Sequence, residues 1–96
     1  MFQWDEKKAA ANLEKHHVSF AKAVSAFADT QGLDGADHAH SGHEERRLRI
    51  AKSAFGDILT IAYTLRKSNN DQTKVRIISA RRASRKERKT YKEGFE

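Results

Sequence analysis

Cysteine and proline are both absent from this chain. Without thiols there is no disulfide framework, no thiolate metal site and no cysteine nucleophile. That absence fits a reducing, cytoplasmic compartment. No proline interrupts any segment, and no internal repeat or low-complexity linker appears. No apolar run approaches the roughly 18 residues of a membrane span. The opening MFQWDEKK lacks the apolar core of a signal peptide, so no membrane role is expected. The 96 residues are expected to form one domain, 1–96, with a single modest core.

What the chain has is positive charge, unevenly placed. It carries 19 Lys+Arg against 13 Asp+Glu, a net of +6. Residues 1–47 hold 6 basic and 8 acidic side chains, a net of −2, whereas residues 48–96 hold 13 and 5, a net of +8. A generic solubilising surface mixes its signs more evenly. Cations gathered in one half point to an anionic partner, either nucleic acid or an acidic protein.

The pattern of residues predicts an α+β order. Phe2, Gln3 and Trp4 alternate as a short strand, and Asp5 offers an N-cap for a helix over 6–16 with Ala9, Ala10 and Leu13 as its thin apolar content. Ser19 caps a second helix, in which Phe20, Ala23, Val24 and Phe27 recur at helical spacing as core positions. Residues 29–42 read as a glycine-bearing loop with a brief strand near Leu33. Strands then follow over 47–53, 58–65 and 75–80, joined by hairpin-sized links, so an antiparallel meander is expected. Ser84 and Glu87 form a capping box that starts a last helix at Arg85, and Gly94 suits the position after its end.

The chemistry-bearing group is Arg66, Arg76, Arg81, Arg85 and Arg88, with Tyr91. A guanidinium is always charged, and its planar fork matches phosphate oxygens. On the last helix Arg85, Arg88, Lys89 and Lys92 share about one-third of the circumference at 100° per residue. Arginines converging from two strand ends and a helix would make a concave phosphate site. Three readings stay open: nucleic-acid binding, RNA cleavage, and a solvated basic face that meets an acidic partner. Cleavage without metal needs a base for the 2′-OH, cations for the phosphorane and an acid for the departing 5′-oxygen. Tyr91 has a reference pKa of about 10, lowered if arginines surround it. No residue of the sequence declares itself the base. His38, His40 and His43 match no compact metal-ligand spacing and read as an exposed polar loop, so neither metal nor cofactor is expected. His16 and His17 read as charges at a helix end.

Several motifs come in a familiar order: F-Q-W-D-x-x-K-x-x-x-N-x-x-K-H over 2–16, V-S-F over 18–20, E-E-R over 44–46, R-I-I-S-A-R over 76–81, and E-R-x-x-Y over 87–91. Together they resemble BrnT, the ribonuclease-toxin family of bacterial type II toxin–antitoxin pairs. The resemblance implies a RelE-like fold: two N-terminal helices on a small antiparallel sheet with a C-terminal helix beside it. It also implies metal-independent endoribonuclease activity that leaves a 2′,3′-cyclic phosphate and suppresses translation. The implied partners are an RNA substrate and a BrnA-like ribbon-helix-helix antitoxin, with operator DNA reached only through a hetero-oligomer with that antitoxin. Carried over by motif, the site positions are Arg66, Arg76, Ser79, Arg81, Glu87, Arg88 and Tyr91, with Arg46 added from E-E-R. Arg66, Arg76, Arg81, Arg88 and Tyr91 are the expected catalytic set, and Arg46, Ser79, Arg85, Lys89 and Lys92 the expected RNA contacts. Three departures from the family pattern stand out. His17 replaces a usual glycine, Ala21-Lys22 a usual acidic pair, and Asp57 a common basic residue.

Overall fold

The computed structural model describes residues 1–39, 45–67, 69, 70 and 72–94. Its order is β1 (Phe2–Gln3), α1 (Glu6–His16), α2 (Phe20–Ser25), a 3₁₀ turn (Ala26–Ala28), β2 (Leu33–Ala36), β3 (Arg47–Lys52), β4 (Ile58–Lys67), β5 (Thr73–Arg82) and α3 (Arg85–Glu93). The α+β class is as expected. The sheet, in the order β1-β5-β4-β3-β2, is mixed rather than wholly antiparallel. The meander β2-β3-β4-β5 is antiparallel, but Phe2 and Gln3 lie parallel beside Val75 and Arg76. The short pair is held by the Val75 N–H donating to the Met1 carbonyl at 2.8 Å and by Phe2 and Trp4 packing against the core.

The helices start where capping chemistry allows. Asp5 accepts from the N–H groups of Lys7 and Lys8. Ser19 accepts from Lys22. At α3 the Ser84–Glu87 capping box is complete in both directions. α1 ends at His17, which sits in the left-handed region at φ 60°. An L side chain is strained there, whereas a glycine would not be. The other two departures meet in space: Lys22 of α2 forms an ion pair with Asp57 at the β3–β4 turn.

The core lies between α1, α2 and one face of the sheet. Val18, Phe20, Ala23, Ala26, Ala51, Leu59, Ile61, Ile77 and Ala80 form it, with Phe2, Trp4, Ala9, Phe27 and Val75 packed around them. Burying a side chain such as Phe20 stabilises the fold by about 1.5–3 kcal/mol. Leu13, part of the thin apolar content of α1, is 48% exposed. The buried anchor is polar: the Asn12 amide donates to the carbonyls of Val18 (2.9 Å) and Ala80 (2.8 Å) and accepts from the Ala80 N–H (3.1 Å). Its three bonds satisfy the amide in a dry place and stitch α1 to β5.

The alternation in β3 divides its residues between two faces, and the arginines occupy the face that the 3₁₀ turn covers. Arg49 is only 8% exposed. Its guanidinium donates to the Ala26 carbonyl (3.2 Å), to Asp34 (2.6 Å) and to the Asp29 carbonyl (2.7 Å), and lies 5.2 Å from the Phe27 ring. A Cβ at Gly32 would collide with it, so that glycine is needed for the close approach.

Candidate nucleic-acid interface

On the sheet's other face, β4 and β5 align side chains in transverse rungs. Thr60 lies opposite Arg81, Ala62 opposite Ser79, Thr64 opposite Arg76, and Arg66 opposite Lys74. An irregularity at Ala62/Tyr63 takes Ile78 out of register. It keeps Ser79 and Arg76 on the same face despite their odd separation. Arg46 stands just before β3, and its carbonyl accepts from the Asp37 N–H at 2.8 Å. Extending the β3–β4 register by one residue sets Arg46 opposite Thr64. The floor of the face is therefore Arg46, Thr64, Arg76, Ser79, Arg66 and Lys74, drawn from β4, β5 and the residue that leads into β3. Arg76 also lies within Coulombic reach of Asp5.

α3 covers the other end of this face. Its contact with the sheet is polar: none of its residues is buried. Glu87 is the hub. Its carboxylate accepts from Arg81 twice (2.8 and 3.0 Å), from the Thr60 hydroxyl (2.8 Å) and from the Ser84 N–H (2.8 Å). The Arg81 fork holds the Glu87 carboxyl down to about 2, with the Ser84 N–H and the Thr60 hydroxyl adding to the effect against some burial. Glu87 is thus ionised throughout the neutral range and is a weak base. Arg81 is correspondingly occupied and is not the free surface cation that its position in the sequence implies.

Tyr91, one turn on, donates to Asp29 Oδ2 at 2.6 Å, and the same oxygen accepts from the Lys52 N–H at 2.8 Å. Asp29 holds the phenolic proton in place, and with burial this pushes the Tyr91 pKa up to about 12. The condition for a lowered value is not met, because a carboxylate and not a cluster of arginines is the nearest charged neighbour. Tyr91 can donate a proton; it does not accept one near neutrality.

The cations of α3 face away from this underside. Arg85, Lys86, Arg88, Lys89, Lys92 and Glu93 line an open groove on the helix's outer surface. Arg88 also lines a cavity beside Gly56 and Asp57 of the β3–β4 turn and donates to the Ala83 carbonyl at 2.7 Å. The expected site residues thus fall into groups. Arg46, Arg66, Arg76 and Ser79 share the sheet floor; Arg85, Lys89 and Lys92 share the helix's outer face; Arg81, Arg88 and Tyr91 are held by polar contacts between the two. The cavity beside the β3–β4 turn, of about 290 Å³, brings Arg82, at the end of β5, together with Arg88 of α3, whereas the outer groove is lined by α3 residues alone. His38 is exposed, and His40 and His43, like Glu44 and Phe95, lie outside the described residues.

Sequence reasoning missed Thr60, Thr64 and Asp29. Thr60 and Thr64 read as plain residues of an apolar strand, and their period-2 spacing with Arg66 is the signal that assigns them to the cationic face. Asp29 carried no signal, since its partners Lys52 and Tyr91 are distant in the chain.

The family model described as "Ribonuclease toxin, BrnT, of type II toxin-antitoxin system" matches residues 4–87. No curated protein matches the chain.

Proposed function

The chain belongs to the BrnT family of ribonuclease toxins from type II toxin–antitoxin systems, and from that premise we propose that it cleaves RNA on the cationic face of its sheet without metal assistance. The 2′-oxygen forms a bond to the adjacent phosphorus, and the bond from phosphorus to the 5′-oxygen breaks. One proton leaves the 2′-OH and one joins the 5′-oxygen, giving a 2′,3′-cyclic phosphate and a 5′-hydroxyl. The observation that carries the reading is the floor of Arg66 on β4, Arg76 and Ser79 on β5, and Arg46 just before β3. Fixed guanidiniums stabilise a dianionic phosphorane strongly because they need no reorganisation as the charge develops.

In this reading Arg66 and Arg76 hold the reacting phosphate, with Arg46 and Ser79 beside them. Arg81 and Arg88 border the site where α3 begins. Arg85, Lys89 and Lys92 take flanking phosphates along the helix's outer face. Tyr91, held protonated by Asp29, is suited to donating a hydrogen bond or proton and not to serving as the base. The protein acts in the cytoplasm as one RelE-like unit and suppresses translation. A BrnA-like ribbon-helix-helix antitoxin covers the basic face, and contact with operator DNA runs through that complex.

A second reading has its own support. Glu87 at about 2 and Tyr91 at about 12 both lie far from neutrality, as befits a basic module that binds nucleic acid without turnover. One experiment separates the two: purified protein with RNA in EDTA, scored for 2′,3′-cyclic phosphate ends. Cleavage is expected, and Arg66→Ala/Arg76→Ala lowers it at least tenfold, about 1.4 kcal/mol of barrier. A salt-sensitive gel shift with no product favours the binding module, and undiminished cleavage by the double variant removes the proposed floor.

A further inference from the structure

Two buried side-chain atoms among the described residues have no hydrogen-bond partner: Arg46 Nε and Thr64 Oγ1. Thr64 is 2% exposed. Buried donors left unpaired are rare in native proteins, and each calls for a reason. Extending the β3–β4 register by one residue sets these two opposite each other, on the face whose next strand carries Arg76 directly across from Thr64. Adjacent strands are about 4.8 Å apart, so one hydroxyl stands between two guanidinium-bearing positions. A cavity of about 190 Å³ lined by Glu45, Arg47, Thr64 and Leu65 opens at that end of the strand pair. The nearby Glu45 carboxylate is ion-paired to Arg47 at 3.5 Å, and its side chain is 75% exposed, so solvent screens its charge.

We propose that Arg46, Thr64 and Arg76 form a phosphate-binding subsite completed by the ligand, in which an oxyanion accepts from the Thr64 hydroxyl and the Arg46 Nε–H. Thr64 is a new member of the site. Its hydroxyl is a poor choice for the free protein, where valine would fill the same volume without an orphan polar atom. It is a good choice for a protein that must hold a phosphodiester between two cations, because a fixed donor ranks oxygen positions that charge alone does not. The ligand class follows from the donors: three donor-bearing side chains, two of them permanently cationic, select a phosphate. That this phosphate belongs to RNA rests on the function proposed above.

The test is Thr64→Val, measured by fluorescence anisotropy with a labelled 2′-O-methyl oligoribonucleotide that cannot be cleaved, and by competition with inorganic phosphate against chloride at equal ionic strength. The expected result is at least a tenfold weaker affinity in a variant that melts at or above the wild-type temperature. Thr64→Ser restores the affinity. Arg46→Lys, which keeps the charge and loses the Nε–H, weakens binding without depending on the fold of the valine variant. Wild-type affinity in both Thr64→Val and Arg46→Lys overturns the subsite. The two ideas fail separately: oligonucleotide binding through Thr64 with no RNA cleavage refutes the nuclease reading alone. RNA cleavage with unchanged KM in Thr64→Val refutes this subsite alone.

Discussion

Replacing Glu87 with glutamine removes one charge at the point where α3 meets the sheet. The carboxylate accepts four hydrogen bonds, two of them from Arg81. Glutamine offers one oxygen for them and turns an N–H₂ toward a guanidinium N–H. A carboxyl held at about 2 instead of 4.5 represents about 3 kcal/mol if fully realised, at about 1.4 kcal/mol per tenfold. The Arg81 side chain is 42% exposed and that of Glu87 23%, so solvent screening reduces this to about 1–2 kcal/mol. A depressed carboxylate contributes its full stability above about 4.5 and loses it as the pH falls toward about 2. Urea denaturation of both proteins at pH 7, 4 and 2.5 should therefore show a gap that is widest at pH 7 and narrows steadily with acid. Arg81 is released at the same time, so the affinity of Glu87→Gln for RNA should rise while its stability falls. A gap independent of pH, or no gap, would refute the ion-pair account of how α3 is held.

Two further outcomes follow from the departures noted in the family pattern. His17→Gly relieves a left-handed residue at φ 60° and should raise stability by about 0.5–1 kcal/mol, strain relief outweighing the entropy of glycine; equilibrium unfolding measures it, and a loss of stability would show that the His17 side chain contributes something else. A double-mutant cycle on Lys22→Ala and Asp57→Ala, whose side chains are 20% and 22% exposed, should give a favourable coupling of roughly 0.5–1.5 kcal/mol. A coupling of zero would mean that the contact contributes nothing measurable.

Most of the architecture was legible from short-range rules. The caps at Asp5, Ser19 and Ser84 and the spacing of Phe20 and Ala23 gave the helices. Alternation gave β3, a run apolar on both faces gave β4, the strand pattern VRIISA gave β5, and the brief strand at Leu33 is β2. These features depend on residues within a turn or two of one another, so the sequence displays them directly. The parallel β1–β5 pair was not legible, because two residues carry too little pattern to choose an orientation. Nor was the inward turn of Arg49, since alternation assigns residues to faces without saying which face is covered.

The candidate site divides along the same line. The chain's own residues settle that positive charge concentrates after residue 47, that Arg76, Ser79 and Arg81 share a strand, and that α3 carries its cations on one side. Local geometry fixes such things, and packing does not alter them. Only the tertiary structure decided that Glu87 closes on Arg81, that Asp29 reaches Tyr91 across 62 positions, and that Thr64 lies unpartnered between Arg46 and Arg76. Those contacts arise from strand register and from the angle at which α3 crosses the sheet. Both follow from the best total burial of many side chains at once, a quantity that no single stretch of sequence contains.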